Sequence, residues 1–390
     1  MRLLNELDLR GQRVFIRVDF NVPLKNGVVT DATRIEAALP SIRYAIDQGA
    51  KVILASHLGR PKGKVDSAYT LAPVRDVLTT LLGKPVTLAP DCVGPETEAL
   101  ASSLQPGNVL LLENLRFHAE EEKNDESFSR ALARLADVYV NDAFGTAHRA
   151  HASTAGMAAF VSARAAGFLL QRECEYLGKV LESPVHPVVA ILGGAKVSDK
   201  IKVIRSLLTR VDTLLIGGAM AYTFLRAEGR GTGKSLVEED QIDLARSLLE
   251  DAARRGVSLL LPIDHMVAPD TKSAAASKTV QDIPADQVAL DIGPATIERF
   301  RTALAGARTI FWNGPLGMFE VPPFDTGTMA IAAAVADANA TSIIGGGDSV
   351  AAVMRSGRAK DISHISTGGG ASLEFLEGEQ LPGLTALDAT

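Results

Sequence analysis

Side chains suited to binding an anion follow four predicted strands in the first half of the chain. Guanidinium groups bind phosphate and carboxylate through planar, paired hydrogen bonds, so arginines at such positions indicate a small ligand with at least two negative charges. A single arginine is more often a plain surface charge, but repetition at successive strand ends weakens that explanation. In chain order these residues are Asp19 and Asn21, His57 and Arg60, Arg116, and His148 and Arg149, with Arg34 at the start of the helix after the first pair.

A glycine turn near the middle of the chain is typical of a phosphate site. The apolar run 188–192 predicts a strand buried on both faces, the glycine pair 193–194 ends it, and Ser198 is suited to cap the following helix. Backbone N–H groups at a helix start attract phosphate, and Lys196 and Lys200 add two cations. An ordinary strand-to-helix connection with surface lysines explains this stretch, taken alone, equally well.

Glycine-rich turns also follow several predicted strands in the second half. Glycine lets a flat ring or a polyphosphate approach the backbone closely, so repeated turns at one sheet edge predict a nucleotide site. Asp348 is a suitable ligand for the Mg²⁺ that accompanies a nucleotide, and Glu320 is placed to accept hydrogen bonds from ribose hydroxyls. The turns lie at 217–218, 293, 313–317, 345–347 and 368–370.

The segment 228–235 (EGRGTGKS) looks like a phosphate-binding P-loop but does not match that pattern. The pattern requires glycine five residues before Gly233, where this chain has Glu228, and no clear strand leads into the segment. We therefore expect a surface loop.

Strands and helices alternate along both halves, which predicts parallel sheets covered by helices. Ligands of such sheets bind outside the carboxyl ends of the strands, where the arginines and glycines fall. We predict an α/β fold with two doubly wound, Rossmann-like domains over residues 1–166 and 183–372, joined by a hinge helix over 167–182. The acidic run 120–122 is expected on a solvated loop.

Composition narrows the range of functions. The 390 residues are 46% hydrophobic and 22% charged with a formal net charge of -6, which indicates a two-domain globular protein and argues against a nucleic-acid-binding surface. No export signal and no apolar run of about 18 residues is found, so we expect a cytoplasmic protein with no membrane partner. A monomer is the default expectation.

Cysteines and histidines give little sign of a metal site. Cys92 and Cys174 have neither metal nor redox spacing, which favours a reducing compartment. The pair His148 and His151 is too small a ligand set on its own. We expect these histidines to orient loops or to contact the anion.

Motifs spread over the whole length make the chain resemble phosphoglycerate kinases. Each motif is short, but their combination is specific. They are 17–23 (RVDFNVP), 56–61 (SHLGRP), 113–117 (ENLRF), 145–151 (GTAHRAH), 193–200 (GGAKVSDK), 312–315 (WNGP), 346–349 (GGDS) and 367–372 (TGGGAS).

This resemblance implies transfer of the γ-phosphoryl group of ATP to the carboxylate of 3-phosphoglycerate, a reaction that runs in reverse in glycolysis. It also implies that the tail 373–390 returns to the first domain. The implied phosphoglycerate-binding residues are Asp19, Phe20, Asn21, Arg34, His57, Leu58, Gly59, Arg60, Arg116 and Arg149. The implied nucleotide-binding residues are Gly193, Lys200, Gly217, Gly293, Asn313, Glu320, Gly346, Gly347, Asp348 and Ser349, with Asp348 holding Mg²⁺.

The implied reaction needs no general base, because a carboxylate acceptor is already ionised at neutral pH. The site has to align two anions and offset the charge of the moving phosphoryl group. We assign this work to Arg34, Lys196, Lys200, Mg²⁺ and the helix start at Gly369 and Gly370. Since the two ligands are expected on different domains, a hinge must bring them together, and the helix 167–182 and the segment 370–372 are its candidates.

Two other functions fit a two-domain α/β protein. A nicotinamide-dependent dehydrogenase would carry a Gly-x-Gly-x-x-Gly turn after a strand and an acidic residue about 20 positions later, and no such arrangement is found in context. A two-lobed, non-catalytic anion-binding protein would in many cases carry an export signal. Comparing the binding of NAD with the binding of MgADP distinguishes a dehydrogenase from a kinase. Measured phosphoryl transfer excludes the non-catalytic anion-binding protein.

Overall fold

The computed structural model describes residues 1–388, which form two compact units. Unit 1 comprises Met1–Glu175 and the C-terminal segment that begins at Gln380, and unit 2 comprises Tyr176–Glu379. Among the described residues, no helix has the length and apolar character needed to cross a membrane.

Unit 1 contains a parallel sheet with helices packed against it. Its strands are β1 (Arg13–Val18), β2 (Leu24–Lys25), β3 (Val28–Val29), β4 (Lys51–Ala55), β5 (Val86–Leu88), β6 (Val109–Leu111), β7 (Val138–Asp142) and β8 (Ala163–Ala166). Six of them form the sheet in the order β5-β6-β4-β1-β7-β8, and β2 and β3 form a short antiparallel hairpin. The helices are α1 (Thr33–Asp47), α2 (Ala72–Leu82), α3 (Pro95–Ser103), α4 (Ala119–Glu122), α5 (Glu126–Ala133) and α6 (Phe168–Leu181), within which the division between the units falls.

The strand β1 lies in the interior of this sheet because its side chains are mostly apolar on both faces. Val14, Phe15, Ile16 and Val18 are buried, and the strand pairs in parallel with β4 on one side and β7 on the other. Each large apolar side chain buried in this way contributes about 1.5–3 kcal/mol of transfer free energy. The core therefore holds the carboxyl ends of β4, β1 and β7 side by side.

Unit 2 contains a second parallel sheet. Its strands are β9 (Val188–Leu192), β10 (Thr213–Ile216), β11 (Ser258–Leu260), β12 (His265–Ala268), β13 (Lys278–Val280), β14 (Val288–Ile292), β15 (Thr309–Asn313), β16 (Thr341–Gly345) and β17 (His364–Ile365). The parallel sheet has the order β11-β10-β9-β15-β16-β17, and β13-β12-β14 form a separate antiparallel sheet. The helices are α7 (Ile201–Leu207), α8 (Met220–Ala227), α9 (Ile242–Arg255), α10 (Pro294–Ala305), α11 (Thr326–Asp337), α12 (Gly347–Arg355) and α13 (Gly369–Leu376), and α14 (Pro382–Asp388) follows in unit 1.

The predicted fold class, with two parallel doubly wound sheets, is confirmed. The antiparallel sheet β13-β12-β14 was not predicted, because its strands are short and β13 is largely exposed, so no clear apolar alternation marks it. The strand β8 and the helix α3 were also missed. Ala163–Ala166 is an alanine-rich edge strand without β-branched residues, and α3 has little apolar periodicity.

One local prediction is wrong. The acidic run 120–122 lies in the helix α4 rather than on a solvated loop, and Glu121 is fully buried, where Ser153 donates two hydrogen bonds to its carboxylate. The C-terminal segment of unit 1 begins at Gln380, whereas the resemblance implied a return from 373. Within unit 2, α13 packs on α7, and the Ser206 hydroxyl donates to the Leu376 carbonyl at 2.5 Å.

Candidate functional site

Four neighbouring strands of the unit 1 sheet, β6, β4, β1 and β7, end at the same edge because they run parallel. Polar residues predicted to bind an anion follow each of these ends, which is where ligands of such sheets bind. We call this set the arginine edge. It comprises Asp19, Phe20, Asn21, Arg34, His57, Leu58, Gly59, Arg60, Arg116 and Arg149.

Hydrogen bonds orient the first part of the arginine edge. The Arg34 Nη1 donates to the Asp19 Oδ2 at 2.8 Å, and the Asn21 Oδ1 accepts the Gly59 N–H at 2.9 Å. The Asp19 side chain is only 7% exposed, whereas that of Arg34 is 38% exposed. The buried carboxylate therefore fixes a guanidinium group that keeps part of its surface open to a ligand.

Phe20, Leu58 and Gly59 contribute their backbone to the shape of this edge. The Phe20 N–H donates to the Ser56 hydroxyl at 2.8 Å, and the Leu58 N–H donates to the Asn114 Oδ1 at 3.2 Å. Gly59 has a φ of 62°, and a Cβ there would overlap the Tyr69 ring. Because these backbone groups form hydrogen bonds within the protein, the three residues help to hold the loops of the arginine edge in place.

Arg116 is the most buried arginine of the edge and is incompletely paired. Its Nη1 donates to the Gly59 carbonyl at 2.9 Å, and its Nε lies 3.2 Å from a Glu122 carboxylate oxygen without hydrogen-bonding geometry. Its Nη2 has no partner among the described residues. Burial lowers the pKa of Arg116, with the positive charges of Arg149 and Arg17 acting in the same direction. A bound anion would relieve both effects.

Arg60 and Arg149 are the more accessible arginines. Arg60 is exposed and forms no hydrogen bond or ion pair with any described residue. The Arg149 Nε lies 3.1 Å from the His148 Nε2, and both side chains are partly buried. Nearby His151 is buried, and burial together with the positive charge of Arg116 lowers its pKa to about 4. A neutral His151 fits the predicted role in orienting a loop.

His57 contacts a residue to which the sequence analysis assigned no role. The ring is buried, and its Nδ1 lies 3.2 Å from the Nη2 of Arg17, which is buried inside β1. Arg17 in turn donates to Ser153, which binds Glu121. Arg17 begins the motif 17–23 and Glu121 lies in the acidic run 120–122, but no sequence signal indicated that they belong to one cluster.

The strand ends of unit 2 also meet at one edge. Gly193 follows β9, Gly217 follows β10, Asn313 ends β15 and Gly346 follows β16, and these strands are neighbours in the parallel sheet. We call these residues, with Lys200, Gly347, Asp348 and Ser349, the glycine edge. Gly293 stands apart, because it follows β14 of the antiparallel sheet and donates its N–H to the Asp264 carbonyl at 2.9 Å.

Some of these glycines are needed for packing within the protein. A Cβ on Gly193 would overlap the Pro315 carbonyl, and one on Gly217 would overlap the Leu316 side chain. By contrast, a Cβ on Gly347 would meet nothing within 4 Å. The turns at 193 and 217 therefore owe their glycine to close packing of loops, and open space lies at the start of α12.

Lys200 and Asn313 form a buried pair at the glycine edge. The Lys200 Nζ donates to the Asn313 Oδ1, while the Asn313 Nδ2 has no partner among the described residues. Burial lowers the pKa of Lys200 to about 8, against the opposing effect of Asp199 and Asp348. Ser349 also forms a hydrogen bond within the protein, because its hydroxyl accepts the Gly314 N–H at 2.5 Å.

The predicted phosphate-binding helix start after the glycine pair is wrong in its detail. Ser198 does not cap a helix with its side chain but begins a short 3₁₀ turn, and α7 starts later, at Ile201. The Glu238 carboxylate accepts the backbone N–H groups of Val197 at 2.5 Å and Ser198 at 3.2 Å, and also the Ser198 hydroxyl. An internal anion therefore occupies these donors. Lys196 is exposed on the same segment.

Two longer helices begin at the glycine edge with accessible N-termini. Gly346, with a φ of 89°, precedes α12, and Asp348 is exposed in the first turn of that helix. The helix α13 begins at Gly369 and Gly370, and its Ser372 hydroxyl lies 2.6 Å from the Ser366 hydroxyl. Glu320 is exposed on the loop after β15. These positions leave carboxylates and helix starts open to solvent.

Within the described residues, Asp91, Cys92 and His118 bring possible metal-ligand atoms to within 4.8 Å of one another. The His118 Nε2 and the Asp91 Oδ1 are already joined at 2.7 Å, and burial with the nearby charge of Asp91 raises the pKa of the Cys92 thiol. A protonated thiol beside a closed His–Asp pair is a poor metal site.

The P-loop-like segment 228–235 is a loop, as predicted, but it is anchored rather than free. Thr232 and Ser235 are buried, and the Ser235 hydroxyl accepts the Ala289 N–H at 3.0 Å. A Cβ on Gly233 would overlap the carbonyls of Pro284 and Gln287. The segment therefore packs on the chain and does not cradle phosphate.

Comparisons with known proteins agree over nearly the whole length. The family model for phosphoglycerate kinase matches residues 4–379. Similar proteins named phosphoglycerate kinase include one from Anaeromyxobacter dehalogenans, 59% identical over 100% of this chain and 99% of the relative, and one from Moorella thermoacetica, 62% identical over 98% of each. The solved phosphoglycerate kinase of Coxiella burnetii is 43% identical with a TM-score of 0.90, over 98% of each chain. This chain belongs to the phosphoglycerate kinase family and is a phosphotransferase that acts on a carboxyl group.

Proposed function

We propose that this chain catalyses reversible transfer of the γ-phosphoryl group of ATP to the carboxylate of 3-phosphoglycerate, giving ADP and 1,3-bisphosphoglycerate. Membership of the family supports this reaction. The observation that carries it is the arginine edge, where buried Arg116 keeps an Nη2 without a partner among the described residues. A buried unpaired donor costs about 1–3 kcal/mol, which an anionic ligand would recover.

We assign the phosphoglycerate to the arginine edge of unit 1. The ligand carries a phosphate and a carboxylate, so several guanidinium groups are needed to offset its charge. Asp19 would keep Arg34 in place, and Phe20, Leu58 and Gly59 would support the loops. The residues that we expect to contact the ligand are Asn21, Arg34, His57, Arg60, Arg116 and Arg149.

We assign the nucleotide to the glycine edge of unit 2. The unpartnered Asn313 Nδ2 and the depressed pKa of Lys200 both favour an approaching anion. Gly346 and Gly347 leave room for phosphate oxygens at the start of α12. The remaining assigned residues are Gly193, Gly217, Gly293, Glu320, Asp348 and Ser349.

The exposed Asp348 carboxylate fits a magnesium ion that arrives with the nucleotide, because Mg²⁺ in such sites takes one or two carboxylates beside phosphate oxygens. When bound, the ion would neutralise phosphate charge. The protein's own side chains and backbone would contribute in addition to the ion. Arg34, Lys196, Lys200 and the helix start at Gly369 and Gly370 would stabilise charge on the moving phosphoryl group.

No residue has to act as a general base in this reaction, since the acceptor carboxylate is ionised at neutral pH. The requirement is alignment, so the two ligands must meet and water must be excluded. We propose that bending within the segment 167–182 and near 370–372 achieves this. We further propose that the enzyme works as a monomer in the cytoplasm, which light scattering and cell fractionation test.

The central test compares two arginines of the same helix. Arg34→Ala is expected to lower turnover at least about 100-fold in an NADH-coupled assay, because it removes a charge at the reacting centre. Arg43→Ala removes an exposed arginine from α1 and should leave turnover unchanged. Calorimetry should show binding of MgADP and 3-phosphoglycerate. Binding of NAD in place of both would overturn the proposal in favour of a dehydrogenase.

A further inference from the structure

Four buried side chains of unit 1 form a continuous hydrogen-bonded chain that ends at His57. The Glu121 carboxylate accepts the Ser153 hydroxyl at 2.5 Å and the Ser153 backbone N–H at 3.0 Å. The Ser153 oxygen accepts the Arg17 Nε–H at 2.8 Å, and the Arg17 Nη2 lies 3.2 Å from the His57 Nδ1. Glu121 and Ser153 are 0% exposed, Arg17 is 1% exposed and His57 is 4% exposed.

Chemistry fixes the direction of the hydrogen bonds that Arg17 forms. A guanidinium group carries only donors, so the His57 Nδ1 that faces Arg17 has to accept. An imidazole ring that accepts at Nδ1 carries its single proton on Nε2. At the other end the Ser153 hydroxyl donates to Glu121 and its oxygen accepts from Arg17. Burial raises the pKa of Glu121, while the charge of Arg17 and the hydrogen bonds from Ser153 act in the opposite direction.

We infer that Glu121, Ser153 and Arg17 are positioning residues that hold His57 as the neutral Nε2–H tautomer, so that the ring offers the phosphoglycerate one N–H donor and takes no part as an acid. The inference rests on the proposed function, since the acceptor of this donor is an oxygen of the substrate. A purely structural role for the cluster would not specify which ring nitrogen of His57 is protonated, whereas this positioning role does.

The surroundings of His57 oppose protonation of the ring. Burial and the positive charges of Arg17, Arg116, Arg34 and Arg149 lower its pKa well below the ordinary value. Protonation would also turn Nδ1 into a donor facing the donor Nη2 of Arg17. Both effects keep the ring neutral across the physiological range.

Nitrogen NMR of the full chain tests this inference directly. With ¹⁵N-labelled histidine, a long-range ¹H–¹⁵N correlation spectrum identifies the protonated ring nitrogen, and the His57 signals are those missing in His57→Gln. We expect an unprotonated Nδ1 and a protonated Nε2, unchanged from about pH 6 to about pH 8. A protonated Nδ1, or titration of the ring in this window, would overturn the inference.

A serine variant tests the positioning residues. Ser153→Ala removes the acceptor that holds the Arg17 Nε, so Arg17 should no longer be kept against the His57 Nδ1, and we expect the His57 signals to shift towards a mixture of tautomers. The KM for 3-phosphoglycerate should rise roughly threefold to tenfold, as for loss of one positioned hydrogen bond, with the KM for ATP unchanged. Ser153→Thr, which keeps the hydroxyl, should restore both values.

The matched control is Ser129→Ala. Ser129 is equally buried in unit 1, but its hydroxyl has no partner among the described residues, so neither the spectrum nor the KM should change. A normal His57 spectrum in Ser153→Ala contradicts the inference. If the unaltered chain does not bind 3-phosphoglycerate, the proposed function fails, and the spectrum of the ligand-free chain still decides the tautomer.

Discussion

Lys200 donates a hydrogen bond to the side-chain oxygen of Asn313, and the amide nitrogen of that asparagine has no partner among the described residues. The two side chains are buried together at the carboxyl end of β15. Burial of the ammonium group is unfavourable and is the main cause of the lowered pKa of Lys200, while the charges of Asp199 and Asp348 act in the opposite direction. The pair thus holds a cation and an unsatisfied donor for an anion that arrives from solution.

Replacement of Lys200 by methionine tests this relationship. Lys200→Met keeps the length of the side chain and removes its charge, so we expect turnover to fall at least about 100-fold in the coupled assay. Lys202→Met removes an exposed lysine nearby in sequence and is the matched control, expected to keep full turnover. Near-normal turnover in Lys200→Met would show that its charge is not used in the reaction.

The affinity for nucleotide should depend on pH through the same lysine. Its pKa of about 8 lies below the ordinary lysine value, so the ammonium form is complete well below pH 8 and is lost as the pH rises through about 8. The Kd for MgADP should therefore increase above about pH 8 in the unaltered chain and stay level in Lys200→Met. Calorimetry at a series of pH values measures the Kd for MgADP in both proteins. If the Kd changed with pH equally in the unaltered chain and in Lys200→Met, the titrating group would be one other than Lys200.

The buried guanidinium group of Arg116 gives a second test. Arg116→Lys keeps the positive charge but loses the planar fork and the unpartnered Nη2. We expect the Kd for 3-phosphoglycerate to increase about 10-fold to 100-fold, with the Kd for MgADP unchanged. Arg134→Lys alters an exposed arginine that pairs with Glu98 and should change neither constant. An unaltered affinity in Arg116→Lys would remove this residue from the site.

Glu238 is expected to position the segment that carries Lys196 and Lys200. Its carboxylate accepts two backbone N–H groups and the Ser198 hydroxyl, whereas an amide would turn a donor towards them. Glu238→Gln should lower kcat roughly 10-fold and the free energy of unfolding by about 1 kcal/mol. The neighbouring Glu239→Gln is the control, since Glu239 is 67% exposed with its nearest cation 3.8 Å away. Equal effects of the two substitutions would contradict the positioning role.

Apolar patterning was sufficient to predict the elements that carry the two edges. The strands Arg13–Val18 and Lys51–Ala55 are mostly apolar and buried on both faces, and polar residues follow their ends, so the sequence pattern indicates them clearly. Parallel neighbours then bring these ends to one edge. The arginine edge could be predicted for this reason, without knowledge of any individual contact.

Contacts between distant residues could not be predicted in the same way. Glu238 lies 41 positions from Val197, and Glu121 lies 32 positions from Ser153, so no local spacing connects them. Glu121 belongs to an acidic run that is typical of a solvated surface, and only the folded chain shows that it is buried. The need for glycine at position 193 likewise arises from the approach of Pro315, which sequence spacing does not reveal.

The pair formed by His118 and Asp91 should make stability depend on pH. The hydrogen bond to Asp91 raises the pKa of His118, so its contribution is complete below the ordinary histidine pKa and is lost as the pH rises through the raised value. Since both side chains are partly exposed, we expect His118→Asn to cost less than about 1 kcal/mol near pH 6. Urea unfolding at a series of pH values measures this difference, which should shrink at alkaline pH. A difference that stays constant with pH would mean that the ring contributes through packing on Phe128 and not through its charge.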